Sequence, residues 1–237
     1  MLCLDSYFRK YTFPPIKYID KFIFVSKFSQ LKHTQIQPLY KDKSVQLYNF
    51  TPNISEPKNR KGNYFVYVGR LSYEKGIETL ISAMEYFPNT QLKIIGNGPL
   101  LNTLKQKASP NITFEGFKEG EELKKYIYNS SFSIIPSEWY ENNPLSVIES
   151  MALGTPVIGS NIGGIPELIH DSISGYLFRA GDIQSLKQIL NKAINLDNKD
   201  YSKMSQAAIL FAKRNFSSNL HYQKLISLYQ STINFKH

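Results

Sequence analysis

Two glutamates eight residues apart, Glu141 and Glu149, stand in the stretch ENNPLSVIESMALGTPVIGSNIGGIPEL (141–168), the second inside an apolar run of helical spacing. Carboxylates can pair for acid–base work or accept hydrogen bonds from hydroxyl groups, and spacing separates these roles. One helix carrying both would set them up to ~12 Å apart. That exceeds the ~5–9.5 Å between the carboxylates of a glycoside hydrolase, so hydrolysis by this pair is disfavoured. An unpartnered buried carboxylate is costly, so Glu149 is expected to accept hydrogen bonds. A ribose diol can donate two of them, and a neighbouring loop can serve as well.

The residues between the glutamates suggest an anion site. Asn143 is a favoured N-cap and Pro144 a favoured first helical residue, which leaves the amides of Leu145 and Ser146 facing outward. Such an end attracts phosphate, although an ordinary capped helix has the same signature. Arg70 and Lys75 lie five residues apart in GRLSYEKG (69–76). A guanidinium pairs bidentately with phosphate oxygens and an ammonium acts as a point charge, so the two make a diphosphate clamp if their loop lies beside the helix end. GNGPL (96–100) adds glycines that permit close approach to the backbone, without the GxGxxG dinucleotide pattern.

These residues need a scaffold that brings their loops to one edge. From residue 63 the chain alternates β-branched or aromatic runs with amphipathic stretches, the pattern of βα units on a parallel sheet. Strands are expected at 63–69, 91–96, 111–116, 132–137, 155–159 and 175–178. Helices are expected at 76–87, 99–108, 121–130, 143–153, 165–169 and 182 to about 195, with Gly154 as a C-terminal cap, and then at 202–214 and 219–233. The fold class is α/β, six parallel strands with helices on both faces. Ligands of such sheets bind beyond the carboxyl ends of the strands, where both GRLSYEKG and ENNPL begin.

Upstream, DKFIFVS (20–26) and SVQLYN (44–49) read as two strands joined by a helix at about 29–38. That is too little to close a core. Residues 1–50 are therefore read as an incomplete piece of a second α/β domain with open sheet edges unless something covers them. A linker (51–62, within the Asn- and Pro-rich stretch 49–63), a main domain (63–215) and a C-terminal helix (216–237) complete the expected division.

At 237 residues, 42% hydrophobic and 20% charged, the chain has the composition of a soluble globular protein. No run approaches the ~18 apolar residues of a membrane helix, and MLCLDSYFRK lacks the apolar core of a signal peptide. A sole cysteine, Cys3, excludes an internal disulfide and a thiolate metal site. Cytoplasmic location is the default. Residues 1–62 carry 11 Lys/Arg against 4 Asp/Glu, a net of +7, whereas residues 63–237 carry 17 against 15, a net of +2. The basic part could face an anionic membrane, although solvated lysines are the ordinary case, and no groove-reading motif supports a nucleic-acid partner.

YVGRLSYEKGIETLISAM, LKIIGNGP, ITFEGF and ENNPLSVIESMALGTPVIGSNIGGIPELI resemble the donor-binding domain of the group 1 (GT4-like) retaining glycosyltransferases, which pair two Rossmann-like domains in the GT-B arrangement. The likeness covers residues 20 to about 230, and Glu-x7-Glu is that family's signature. It implies that Arg70 and Lys75 hold the diphosphate of a UDP- or GDP-linked sugar and stabilise the departing charge, that Glu149 binds the ribose, and that Glu141 lies against the donor sugar. Glu141, Arg70 and Lys75 would form the catalytic set. Amides of Leu145 and Ser146 would complete the phosphate site, with Asn142 and Asn143 beside them, and backbone near Phe117 would read the base. The resemblance implies no metal and no further cofactor, since two cations and a helix end supply the electrostatics.

The implied chemistry is glycosyl transfer with retention to a sugar or lipid-linked acceptor, in polysaccharide or glycolipid synthesis. Pro144 stands where the family often has Gly, which removes one N–H. Of the family's acceptor-binding domain, only the last β-α-β piece is matched. A partial transferase is thus the leading expectation. Its alternatives are a non-catalytic donor-binding subunit that works with a separate acceptor-domain chain, and an inactive remnant. Any membrane contact would be peripheral, at the inner face.

Overall fold

The computed structural model describes residues 15–234. The readings of Cys3 and of the opening MLCLDSYFRK fall outside that range. A small unit comes first: α1 (Pro15–Tyr18), β1 (Phe22–Phe24), α2 (Lys27–Ile36), a 3-10 turn (Pro38–Lys43) and β2 (Ser44–Gln46), with β1 and β2 paired in parallel. Ser26 caps α2, its hydroxyl accepting from the Ser29 N–H at 3.0 Å.

The main sheet follows. It contains β3 (Tyr64–Val68), β4 (Gln91–Ile95), β5 (Ile112–Gly116), β6 (Phe132–Ile135), β7 (Val157–Ser160) and β8 (Gly175–Phe178). All pairings are parallel, in the order β5-β4-β3-β6-β7-β8. The connecting helices are α3 (Ile77–Met84), α4 (Leu101–Lys107), α5 (Gly120–Asn129), α6 (Leu145–Ala152) and α7 (Ile165–Leu168); α8 (Ile183–Asn195), α9 (Asn198–Asn215) and α10 (Ser218–Asn234) close the chain. The fold is therefore the expected α/β arrangement of six parallel strands.

Strand alternation sends side chains to two cores. Phe65, Tyr67, Leu92, Ile94, Phe132 and Ile134 pack with Leu80, Met84, Leu104, Leu186 and Leu190 of α3, α4 and α8. On the other face Ile135 and Val157 pack with Val147, Ile148 and Met151 of α6, Ile165 and Leu168 of α7, and Ala208 and Ala212 of α9. Strands buried on both faces read as near-continuous apolar runs, which is why FVYV and FSII were legible. Each fully buried Leu, Ile or Phe contributes ~1.5–3 kcal/mol.

One helix start differs from expectation by a full turn. The helix expected from residue 202 begins at Asn198, because Asp197 accepts from the Asp200 N–H at 2.8 Å and starts it a turn earlier, within a charged stretch that hides the apolar period. Segment 49–63 lacks regular structure apart from a bridge between Thr51 and Ser217, yet it is pinned to the main domain. The Thr51 N–H donates to the Phe216 carbonyl at 2.9 Å, the Ser55 N–H donates to Ala152 at 2.8 Å, and Lys58 is buried. Among the described residues no helix is long and apolar enough to cross a membrane.

Candidate functional site

The strand order reverses between β3 and β6. Chain connections run from β3 towards β4 and β5 on one side and from β6 towards β7 and β8 on the other, so the loops after β3 and β6 part and open a crevice at their carboxyl ends. Loop 69–76 and loop 136–144 line it. The Tyr67 hydroxyl, at the end of β3, donates to the Arg70 carbonyl at 2.7 Å and holds the first loop in place. Burial of that phenol, and then the charges of Glu141 and Glu74, push its pKa well up, so it stays a donor. Gly76 has φ +62°, and a Cβ there would lie 1.9 Å from the Pro136 carbonyl oxygen. Only glycine lets the two loops come this close.

Lys75 and Glu141 meet across the gap. The Lys75 ammonium donates to Glu141 Oε1 at 2.5 Å, with side chains 30% and 20% exposed, and the Ser137 hydroxyl donates to the same oxygen at 3.0 Å. A third segment supports Glu141 from behind. The Gly164 N–H donates to the Glu141 carbonyl at 2.6 Å, and a Cβ on Gly164 would lie 1.8 Å from the Asn142 carbonyl oxygen. Arg70 is exposed and forms no ion pair with a described residue.

The start of α6 requires a correction. Asn143 is not its N-cap: Pro144 occupies that position with φ −64° and ψ 122°, and Leu145 is the first helical residue. Pro144 is itself extended at ψ 122°, so it cannot be the first helical residue, and the Asn143 side chain is engaged elsewhere, its Oδ1 accepting from the Asn49 N–H at 2.8 Å. The buried Asn143 Nδ2 has no acceptor. Because Pro144 brings no side-chain cap, the helix end stays open: the amides of Leu145 and Ser146 donate to no described residue, while those of Val147 and Ile148 turn back to Pro144.

Glu149 lies in the second turn of α6, half-buried beside a cavity of about 220 Å³ lined in part by Thr51, Asn53, Gly120 and Lys124. Its carboxylate accepts no hydrogen bond from any described residue. Burial raises its pKa, and the charge of Lys124 pulls the other way. Neither loop that packs near it supplies the donor considered from the sequence. Phe117, 68% exposed, follows β5 at the edge of the sheet, two strands from β3. Asn142 is exposed. No contact joins Phe117 to the Lys75–Glu141 pair. Among the described residues no three His, Cys, Asp or Glu side chains cluster as metal ligands.

Residues 52–211 match the family model for glycosyl transferases group 1. The chain belongs to that family. This group 1 chain is 34% identical over 124 residues to the sulfoquinovosyl transferase SQD2 of Arabidopsis thaliana, a match covering 50% of the chain and 24% of the relative. It is 30% identical over 175 residues to the amylovoran biosynthesis glycosyltransferase AmsK of Erwinia amylovora, covering 68% and 43%. The crystal structure of Anabaena Alr3699/HepE in complex with UDP and glucose superposes with a TM-score of 0.80 at 20% identity, over 90% of this chain and 63% of that one. The Rossmann-like, GT-B-type fold is thereby shared. The group 1 chain spans from about a quarter to half the length of the curated relatives it matches.

Reading the sequence missed Tyr67, Ser137 and the pair Gly163–Gly164 as supports of this site. The GG dipeptide in NIGGIPEL was an available signal, since adjacent glycines mark a close backbone approach.

Proposed function

We propose that this chain binds the nucleoside diphosphate of a UDP- or GDP-linked sugar and takes part in transferring the sugar, with retention, to a sugar or lipid-linked acceptor in polysaccharide or glycolipid synthesis. The observation that carries this reading is the meeting of Lys75, Glu141 and the open amide end of α6 at the point where the strand order reverses. Arg70 and Lys75 take the diphosphate and offset its charge as the bond from the anomeric carbon to phosphate breaks and the bond to the acceptor oxygen forms on the same face. The electron pair leaves with the diphosphate, which also receives the acceptor's proton. Amides of Leu145 and Ser146 add two donors, Asn142 and Asn143 flank them, and Glu141 contacts the donor sugar.

Glu149 accepts from the ribose hydroxyls in this reading. A half-buried carboxylate without a protein donor supports that role. Backbone beside Phe117 reads the base. AmsK, an amylovoran biosynthesis glycosyltransferase, and HepE, in complex with UDP and glucose, support the reading of a nucleotide-sugar enzyme of polysaccharide synthesis. Calorimetric titration with UDP and GDP, without added metal, tests the donor half. Saturable binding of at least one is expected, weakened by ~1–3 kcal/mol in Arg70→Ala and in Glu149→Ala. A folded protein that binds neither nucleotide, or unchanged affinity in both variants, would sink the proposal.

A second reading is favoured by one observation. Among the described residues the small unit pairs two parallel strands and exposes Ile23 (41%), Leu31 (56%), Leu39 (64%) and Ile36 (84%), whereas parallel sheets are ordinarily covered on both faces. A separate acceptor-domain chain that packs on this unit would complete a transferase of which this chain is the donor half. Co-purification from the native host is the check: a stable stoichiometric partner is expected, and a lone monomer would count against it.

A further inference from the structure

The first turn of α2 carries no acidic residue, although its free amides favour one. The carboxylate is supplied from far along the chain. Glu167, on α7, accepts from the Lys27 N–H at 2.8 Å and from the Phe28 N–H at 2.5 Å, and the Tyr48 hydroxyl donates to it at 3.2 Å. Together with the Ser26 cap this engages the amides of the whole first turn. Desolvation of Tyr48, reinforced by the charge and hydrogen bond of Glu167, pushes that phenol's pKa up to about 12.

Glu167 lies three residues beyond Gly164, the residue whose amide holds the Glu141 carbonyl. A second contact reaches the same loop from its other side. The Phe28 ring lies 4.9 Å from the ring of Tyr140, the neighbour of Glu141, and the Lys32 ammonium is 5.8 Å from both ring centres. The start of α2 is thus joined to both flanks of Glu141, through Tyr140 on one side and through Glu167 and Gly164 on the other.

We propose that Glu167 is a positioning residue which couples the seating of α2, on the small unit, to the backbone that places Glu141. Its functional consequence rests on Glu141 being a donor contact; the coupling itself does not. Tightening the grip on α2 steadies Gly164 and Glu141, and releasing it loosens them, so the small unit and the donor crevice move as one body.

Hydrogen exchange on the full chain tests this without any nucleotide. Glu167→Gln keeps one acceptor oxygen, loses the charge and turns an amide NH2 towards one of the two donors. Exchange at Lys27 and Phe28 should rise about tenfold, and exchange at Gly164 should rise with it. Faster exchange confined to α2, or no change at either place, would overturn the proposal, because a merely local cap leaves Gly164 untouched.

Lys27→Pro removes one donor from the opposite side, and covers the case in which Glu167→Gln does not fold. Proline is favoured at the first helical position, and Ser26 is already extended at φ −150° and ψ 155°, as the residue before proline must be. Gly164 exchange should rise again, and the double variant should exceed neither single; additive effects would show two unrelated perturbations and overturn the coupling. A wild-type protein that binds no UDP or GDP would remove the donor-site reading and leave the exchange result standing.

Discussion

Lys58 carries an ammonium into a buried site with no carboxylate beside it. The residue is 6% exposed, and its Nζ donates to the carbonyls of Tyr128 at 2.8 Å and Ser130 at 2.7 Å and to the Thr155 hydroxyl at 2.9 Å. Neutral acceptors stabilise a cation less than a carboxylate would, and desolvation lowers its pKa to about 7. The unfolded chain therefore binds the extra proton between about pH 7 and 10.5. Stability from this group is fully present above that window and is lost as pH falls through it towards 7. The unfolding free energy from urea titrations should rise from pH 7 to 9 in the wild type, by up to ~1.4 kcal/mol per pH unit, and rise less in Lys58→Met. Equal slopes in the two proteins would show that Lys58 is not the group that titrates. The contrast is with Lys75, whose ammonium is partly exposed and has a carboxylate beside it.

At the scale of elements, the crevice depends on turns that let backbones approach. Gly76 and Gly116 both have positive φ, +62° and +74°, but only Gly76 faces a neighbour, the Pro136 carbonyl. Nothing lies within 4 Å of a Cβ added at Gly116. Gly116→Ala should therefore cost only the left-handed strain of ~1–2 kcal/mol. Gly76→Ala should cost that and more, since loop 69–76 must retreat from β6. It should also weaken nucleotide binding by displacing Lys75. Chemical denaturation and titration of both variants check this; equal costs would mean that the loops separate freely. The α6 end shows the same dependence on neighbours, because Asn143 gave up the capping position to bond Asn49, 94 residues away.

Across the whole molecule, the small unit is held from several directions. Glu167 grips the start of α2, Asn143 receives Asn49, and His221 of α10 donates its Nδ1–H to the Tyr48 carbonyl at 2.9 Å while its ring lies 4.6 Å from that of Phe50. The segment read as a linker is itself fastened by Thr51, Ser55 and Lys58. Such fastening makes the docked orientation a property of the chain and not of an outside partner. It also places Phe28 and Lys32 beside Tyr140, so that the crevice has a wall on the small unit as well as a floor on the main sheet.

Strands, helices and the residue types at their loops were legible because they follow from local rules. Side-chain alternation, β-branching and the left-handed glycine at position 154 act within a few residues, and they placed six parallel strands and put Arg70, Lys75 and Glu141 in the loops beyond strand ends and Glu149 on the helix that follows. What the tertiary structure decided is which loops meet. Lys75 finds Glu141 across 66 residues and Glu167 caps a helix that begins 140 residues before it, and both contacts exist only because β6 lies beside β3 and the small unit docks over that edge. Strand order and docking are sums of many weak contacts distant in sequence, so no local pattern encodes them. The buried cation at Lys58 is the clearest case, since its environment is assembled wholly from other elements.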